Sequence, residues 1–476
     1  MNNLKKNLVR ALALVLIAAT LSLGLCSCGK NISEIEVIKS NNFSVSAGMV
    51  TYSLYDSYYY YVNYFGADMM KLYFGIDTKV SLKKQYSDAT KKTTWFDVFK
   101  ADAVDGFRNS LVLCEAAYAD GVELSEVDQK YIQSEIDEIA SMAAESGMSL
   151  EDYIEYIYTD GVTEDDIRKS LEIFRLANKK RYKDYSETIV TDGEINDVFK
   201  EKGESYLIRD VIYLDLAISN EDAKNEKIKE YAEKLKAAAN EDDFKKIADE
   251  FIRSEYCVDS NRNDGNTEND KKVTSDKLQN SVAEDEKTEL DKWLFSDDTD
   301  IGDTYVHKSA THYVVYMATS KAVVDASETR NIYTILFSAD VYGSDDAAKA
   351  KAEEIFAKWK DGGKDMDEFK SLAAQYTTDY ASVFSGGSYE NVLKDDLIKE
   401  LDTWLFDDAR VNGDCELIKT DFGYHIIVYN GVGEPAWKVP VIEGIKETKT
   451  SENIQYYVET YAVTVIEGNM KYVKGE

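Results

Sequence analysis

Two segments of the chain repeat one pattern of apolar and polar positions. Residues 401–429 read LDTWLFDDARVNGDCELIKTDFGYHIIVY, and residues 290–316 read LDKWLFSDDTDIGDTYVHKSATHYVVY. Their Leu, Trp, Leu and Phe positions recur at an offset of 111, as Leu401 against Leu290 shows. Each segment predicts a short helix followed by a two-stranded hairpin.

The repeat extends upstream of these segments. A strand-like run precedes two amphipathic helices in each copy, and Phe369 corresponds to Phe244 at an offset of 125. The surplus in the first copy falls in residues 258–280, which carry few apolar side chains and are predicted to form an exposed loop. The sequence therefore predicts two copies of an α+β domain of roughly 110 residues each.

Residues 45–204 have the pattern of consecutive short helices. Four predicted helix starts carry a Ser or Thr followed three residues later by an acid, a spacing that caps free amide groups and complements the helix dipole. These starts are Ser125, Ser149, Thr163 and Thr191. A tyrosine-rich stripe at residues 52–66 is typical either of a core or domain interface or of an adaptable binding face.

The ends of the chain have different patterns. Residues 1–27 combine basic positions with an apolar run that is too short for a permanent span, which predicts a signal peptide. The run ends at LCSCG, where Cys28 fits the acceptor of a lipoprotein signal. Polar residues 28–44 are predicted to be a tether. In the tail, 435–476, a strand-like run at 456–466 is predicted to pack back on the helical domain.

Composition narrows the function classes. A chain of 476 residues with 44% hydrophobic residues is expected to fold as three or four domains. The formal net charge of −33 excludes nucleic acid as a partner and is typical of a solvated acidic surface, although it also favours basic partners. Beyond the leader, only Cys114, Cys257 and Cys415 remain, without a metal-binding spacing. We therefore predict no disulfide framework, metal site or cofactor.

The second copy resembles the parvulin-type (PpiC) peptidyl-prolyl isomerases. The motifs are the Ile335-Leu336 strand end, the helix at 369–373, Gly386-Gly387, the helix at 397–406 and the segment FGYHII at 422–427. The whole layout is similar to PrsA- and SurA-like extracytoplasmic foldases. The resemblance implies a multidomain α+β chain, in which an all-helical N-terminal chaperone domain precedes two tandem parvulin-like domains, the first degenerate.

The implied domains follow from this layout. They are the helical domain at 45–204, the degenerate parvulin-like domain at 205–322, the parvulin-like isomerase domain at 327–434 and the tail from 435. In the first parvulin-like domain no histidine matches the family's first position, His312 lies only near the place of the C-terminal histidine, and His307 has no match.

The resemblance also implies site residues. His425 fits the family's C-terminal histidine and Asp379 its acidic position, whereas Thr334 stands where the family has a first histidine. The proline pocket is predicted from Leu397, Leu401, Phe406 and Phe422, with leucines where the family has Met and Phe, and Phe422 where a small hydroxyl residue is common. The reaction is rotation about the bond before proline, whose barrier is about 18–20 kcal/mol.

Two functions remain open at this point. The first is a foldase, lipid-anchored on the extracytoplasmic face of a Gram-positive-type cell membrane, that catalyses prolyl isomerisation at the second parvulin-like domain. The alternative is a non-catalytic holdase that binds unfolded exported polypeptides on the same scaffold. The missing first histidine favours the alternative or a weak enzyme. Pairing of two chains through the helical domain is left open. A solute-binding protein is not supported, because repeated βαβ patterns are absent.

Overall fold

The structure is a computed structural model that describes residues 31–219, 221–257, 273–280 and 287–475. The predicted signal peptide and Cys28 lie outside these ranges. Two compact units are present, each described by itself below. The first contains the chain up to Ile189, Arg330–Gly431 and the chain from Lys446; the second contains Val190–Thr329 and Val432–Ile445.

The main elements alternate between helix-rich and strand-rich stretches. The helices are α1 (Ala47–Phe65), α2 (Trp95–Ala119), α3 (Glu126–Glu145), α4 (Leu150–Tyr158), α5 (Glu164–Glu187), α6 (Asp192–Lys202), α7 (Asp222–Lys236), α8 (Glu241–Ile252), α9 (Glu289–Leu294), α10 (Asp345–Asp361), α11 (Met366–Tyr376), α12 (Lys399–Leu405) and α13 (Lys438–Thr460). The strands are β1 (Glu36–Lys39), β2 (Ser44–Ser46), β3 (Leu207–Ala217), β4 (Thr274–Gln279), β5 (Thr304–Lys308), β6 (His312–Ala318), β7 (Val323–Val324), β8 (Arg330–Phe337), β9 (Ser388–Val392), β10 (Cys415–Thr420), β11 (Gly423–Val432) and β12 (Thr464–Val465).

The four predicted helix starts are confirmed by their caps. The hydroxyl groups of Ser125, Ser149, Thr163 and Thr191 each accept a hydrogen bond from the backbone amide three residues later. Such a cap satisfies an amide that the helix itself leaves free. Thr94 caps α2 in the same way, a start that the sequence analysis did not single out.

The tyrosine stripe of α1 is divided between the core and the surface. Tyr52, Tyr55 and Tyr58 are buried in the core of the helical region. Farther along the helix, Tyr60 and Tyr64 are exposed. One face of the stripe is therefore core and the other is surface.

The prediction of a polar tether at 28–44 is wrong for its described part. Strands β1, β2 and β12 form a three-stranded sheet, and Ile32, Val37 and Ile38 are buried in the helical core. A short apolar alternation was enough, because the tail supplies the third strand: Ile38 lies opposite Val465. The tail does pack on the helical region, and Val473 belongs to the same core.

The predicted repeat is present as two sheets of the same strand order. The second copy has the order β10-β11-β8-β9, and the first copy has β5-β6-β3-β4 with β7 paired to β3. In the second copy, α10 and α11 cover one face of the sheet through Trp359 and Phe369, both buried. Helix α12 covers the opposite face through Leu401 and Leu405. The multidomain α+β class is thereby confirmed.

Three local predictions are wrong. At the end of the loop expected at 258–280, residues 274–279 form the edge strand β4, whose mostly polar side chains gave no strand pattern; residues 258–272 lie outside the described ranges. In the strand expected at 456–466, residues 456–460 are the end of α13, and only 464–465 form a strand, β12. Helix α6, expected in the helical domain ending at 204, falls in the second unit, which begins at Val190.

Three further observations concern the described residues. Cys114, Cys257 and Cys415 are free thiols. Within the described ranges, no cluster of potential metal ligands is found. No helix in the part of the chain that the structure describes is long and apolar enough to cross a membrane.

Candidate active site

The candidate site lies on one face of the second parvulin-like sheet. His425 is on β11 and Thr334 on β8, which are neighbouring strands. Side chains alternate along a strand, so Ile427 shares the face of His425, whereas Ile426 packs on the opposite face. The sheet therefore brings together residues that are 91 positions apart in sequence.

Both ring nitrogens of His425 lie beside threonine hydroxyl groups. Nδ1 is 3.4 Å from Oγ1 of Thr334, and Nε2 is 3.1 Å from Oγ1 of Thr420. Thr420 also accepts a hydrogen bond from the amide of Phe422. A neutral imidazole has one donor and one acceptor nitrogen, so the two hydroxyl groups fix the ring whichever tautomer is present.

The imidazole is held in its neutral form. His425 is only 7% exposed, and this burial lowers its pKa from 6.5 to about 4, although the negative charge of Asp379 opposes the shift. Near pH 7 the ring is uncharged. It therefore exchanges hydrogen bonds with its surroundings rather than offering a positive charge to a substrate.

Asp379 is fixed by hydroxyl donors on its own side of the site. Its carboxylate accepts hydrogen bonds from Ser382 at 2.5 Å and from the hydroxyl of Tyr389 at 2.7 Å. The preceding Thr378 donates its amide to the carbonyl of Leu336 on β8, which holds the segment along that strand. Asp379 acts on His425 through its charge and makes no direct hydrogen bond with it.

The Gly386-Gly387 pair allows a close approach of this loop to β8. Gly387 has a φ of +82°, and its carbonyl accepts the amide hydrogen of Thr334 at 2.7 Å. A Cβ atom there would lie 2.3 Å from the carbonyl oxygen of Thr334. Only glycine fits both the conformation and the space, which is a physical reason for the motif.

The four predicted pocket residues divide into two groups. Leu401 is buried and Leu397 partly buried in the cluster on the His425 face of the sheet. Phe406 lies under the guanidinium of Arg330, 5.3 Å from its ring centre. Phe406 also packs, partly buried, against the same cluster as Leu397 and Leu401. Phe422 is 62% exposed in the β10–β11 turn.

The first parvulin-like sheet lacks this arrangement. In the β5–β6 hairpin Val314 lies opposite His307, the register that His425 and Ile418 have in the second copy at the 111-residue offset. His312 begins β6, and its Nδ1 lies 2.6 Å from a carboxylate oxygen of Asp215. The position of His425 is therefore occupied by an aliphatic residue in the first copy.

Sequence reasoning missed three polar partners in the site. Thr420 supplies the hydroxyl group that Phe422 lacks, two residues earlier on the opposite strand of the hairpin. Tyr389 and Ser382 hold Asp379. The turn residues Phe422-Gly423 indicated a hairpin, and the register of that hairpin would have placed Thr420 near His425. No pattern in the sequence linked Tyr389 to Asp379.

Comparison with known families agrees with this geometry. Residues 314–431 match the model of the PPIC-type PPIASE domain. The chaperone SurA of Hahella chejuensis (strain KCTC 2396) is 23% identical over 295 residues, which are 60% of this chain and 63% of that protein. The match thus spans less than two thirds of the relative. The predicted relationship to parvulin-type foldases is confirmed.

Solved structures of foldases are also similar. PrsA from Bacillus subtilis has a TM-score of 0.25 and 14% identity, covering 78% of this chain and 89% of that one. The peptidylprolyl isomerase PrsA from Bacillus anthracis has a TM-score of 0.19 and 11% identity, covering 75% and 96%. With TM-scores this low, the whole chains do not superimpose well. The relationship to parvulin-type proteins therefore depends on the domain match at residues 314–431.

Proposed function

We propose, from the parvulin-type domain that this chain carries at residues 314–431, that it is an extracytoplasmic foldase with a weak prolyl isomerase site. It binds unfolded exported polypeptides and catalyses cis–trans isomerisation of X–Pro bonds at the second parvulin-like domain. A lipid on Cys28 anchors it to the outer face of the membrane. The observation that carries the proposal is the ordered pair of His425 and Thr334 on the sheet face that also carries the apolar residues Leu397 and Leu401.

Prolyl isomerisation requires no acid, base or nucleophile from the protein. Rotation requires that the amide before proline lose its resonance, and no covalent bond is made or broken. A site accelerates rotation when it binds the twisted amide better than the planar one. The leucines offer an apolar surface for the proline ring. The network of Thr334, His425 and Thr420 keeps the polar side of the site fixed. The negative charge of Asp379 repels the carbonyl oxygen of the planar substrate amide and so favours rotation of that oxygen away from the carboxylate.

Weak activity follows from two features of the site. The hydroxyl of Thr334 replaces a second imidazole and is smaller, so it reaches His425 only at 3.4 Å. In addition, His425 is buried, and its two nitrogens are already occupied by threonines. We therefore place the acceleration below that of a site with two histidines.

A holdase without isomerase activity is the second candidate. It is favoured by the same replacement at Thr334 and by the exposed aromatic residues Tyr60 and Tyr64, which offer an apolar surface to clients. Clients would then bind without catalysis. Pairing of two chains through the helical region is compatible with both candidates.

Two assays on the mature chain separate the candidates. The first measures isomerisation of a proline tetrapeptide, and the second measures suppression of aggregation of an unfolded client without proline. The foldase proposal expects acceleration in the first assay and protection in the second. Protection without acceleration would establish the holdase instead, and acceleration without protection would leave an isomerase that is not a chaperone.

A further inference from the structure

The loop that carries Asp379 is held against a helix of the N-terminal region. Both belong to the first compact unit. Tyr182 on α5 stacks on Phe384 with ring centres 5.3 Å apart, and it meets Tyr380 edge-on at 5.9 Å. Tyr380 and Phe384 flank Ser382, which donates a hydrogen bond to Asp379. The loop therefore has its acid on one side and an aromatic contact with α5 on the other.

Two cations of α5 complete this contact. The guanidinium of Arg175 lies 5.2 Å from the ring centre of Tyr380, and the ammonium of Lys179 lies 5.9 Å from that of Phe384. Cations over aromatic faces are attracted by the ring quadrupole, most strongly where water is excluded. Arg175, Lys179 and Tyr182 follow each other at helical spacing on one face of α5 and are called the α5 clamp below.

The clamp is itself held rigid by a buried acid. Asp128 on α3 is fully buried; its carboxylate accepts a hydrogen bond from Nε of Arg175 at 2.5 Å and one from Lys179 at 2.7 Å. The Arg175 guanidinium also lies 4.4 Å from the ring centre of Tyr131, so it contacts two aromatic rings. A buried carboxylate with two cationic partners fixes both side chains in one geometry.

From these contacts we infer that the α5 clamp positions the Asp379 loop, so that the isomerase site is completed by the helical region. The inference deepens the proposed function and depends on it. The chain of contacts runs from Asp128 through Arg175 to Tyr380, and then along the backbone to Asp379. Loosening the clamp frees the loop and withdraws the negative charge from the neighbourhood of His425. Arg175, Lys179 and Tyr182 are thus positioning residues, since none is argued to touch the substrate.

The test uses the mature chain with one substitution at a time. Tyr182→Ala removes the stacking ring, Tyr182→Phe keeps it, and Tyr118→Ala is a matched control at an exposed tyrosine on α2. The measurements are kcat and KM for a proline tetrapeptide and the amide hydrogen exchange of residues 378–387. Tyr182 is 37% exposed, so its replacement leaves the fold intact.

The expected pattern is specific. Tyr182→Ala lowers kcat by about fivefold or more with KM within about twofold, while Tyr182→Phe and Tyr118→Ala retain the wild-type kcat. Hydrogen exchange of the loop accelerates in Tyr182→Ala only. An unchanged kcat in an active chain, or unchanged exchange, would overturn the inference. A wild-type chain without isomerase activity would refute the proposed function, and the exchange comparison would then decide on the clamp alone.

Discussion

Oγ1 of Thr334 lies 3.4 Å from Nδ1 of His425, at the place on the neighbouring strand where the parvulin resemblance expects the family's first histidine. Thr334 is 2% exposed and also donates its backbone amide to Gly387. The threonine therefore has a structural and a site role at once. The effects of the two roles on stability and on catalysis can be measured separately.

Replacing Thr334 by valine separates these roles. Thr334→Val keeps the shape and the backbone hydrogen bond but removes the hydroxyl from His425, and we expect a loss of about 1 kcal/mol in stability. We also expect kcat/KM for isomerisation to fall by about fivefold, because the ring is no longer oriented from Nδ1. Urea unfolding and tetrapeptide kinetics are the measurements. A variant with wild-type kinetics would show that the hydroxyl has no part in the site.

Burial of His425 predicts a pH dependence of stability. The folded protein has a pKa of about 4 at this residue against 6.5 for an unperturbed histidine. Between these values the unfolded chain binds a proton that the folded chain does not, so stability is complete above about pH 6.5 and falls as the pH drops towards 4, by on the order of 3 kcal/mol.

The comparison that isolates this contribution is His425→Gln, which retains hydrogen bonding but does not titrate. Unfolding free energies of the two proteins are measured at pH 7 and at pH 4.5. The wild-type chain should lose more stability than the variant over this interval. Equal losses would mean that His425 is not buried as described.

The glycine pair offers a test of the local backbone. Gly387→Ala should destabilise the protein by about 3 kcal/mol or more, because the new Cβ meets the Thr334 carbonyl in a conformation with positive φ. Gly413 is the control: its φ is +90°, but open space surrounds it, so Gly413→Ala should cost only about 1 kcal/mol. Thermal unfolding of both variants checks the difference; equal shifts would contradict the close approach.

The buried acid of the helical region predicts a large effect of a small change. Asp128→Asn removes the charge that pairs Arg175 and Lys179, and we expect a loss of about 3–5 kcal/mol, since a buried guanidinium remains without its counter-ion. The exposed pair of Lys200 and Asp197 serves as control, and Asp197→Asn should change stability by less than about 1 kcal/mol. Denaturant titration distinguishes the two.

Local signals in the sequence predicted most of the fold, and long-range contacts explain what they missed. Helix caps such as Thr163 depend on neighbours three residues away, so spacing alone revealed them. The repeat predicted two copies of an α+β domain, whereas their strand order was not predicted. By contrast, Ile38 lies in a strand that pairs with Val45 on β2 and with Val465, and the second of these partners is far along the chain.

The candidate site shows the same division. His425 and Gly387 stand in recognisable motifs, so the resemblance was enough to single them out. Thr420 needed the register of the hairpin. Tyr182 had no signal at all, because its partner Phe384 lies on another element and a tyrosine on a helix surface has many possible neighbours.

The measurement that tests the central claim most directly is the isomerisation rate of a proline tetrapeptide with the mature chain and with His425→Ala. We predict a measurable acceleration by the wild-type chain that falls by at least about tenfold in the variant, while suppression of client aggregation is unchanged. No acceleration by the wild-type chain, or the same acceleration by His425→Ala, would contradict this claim.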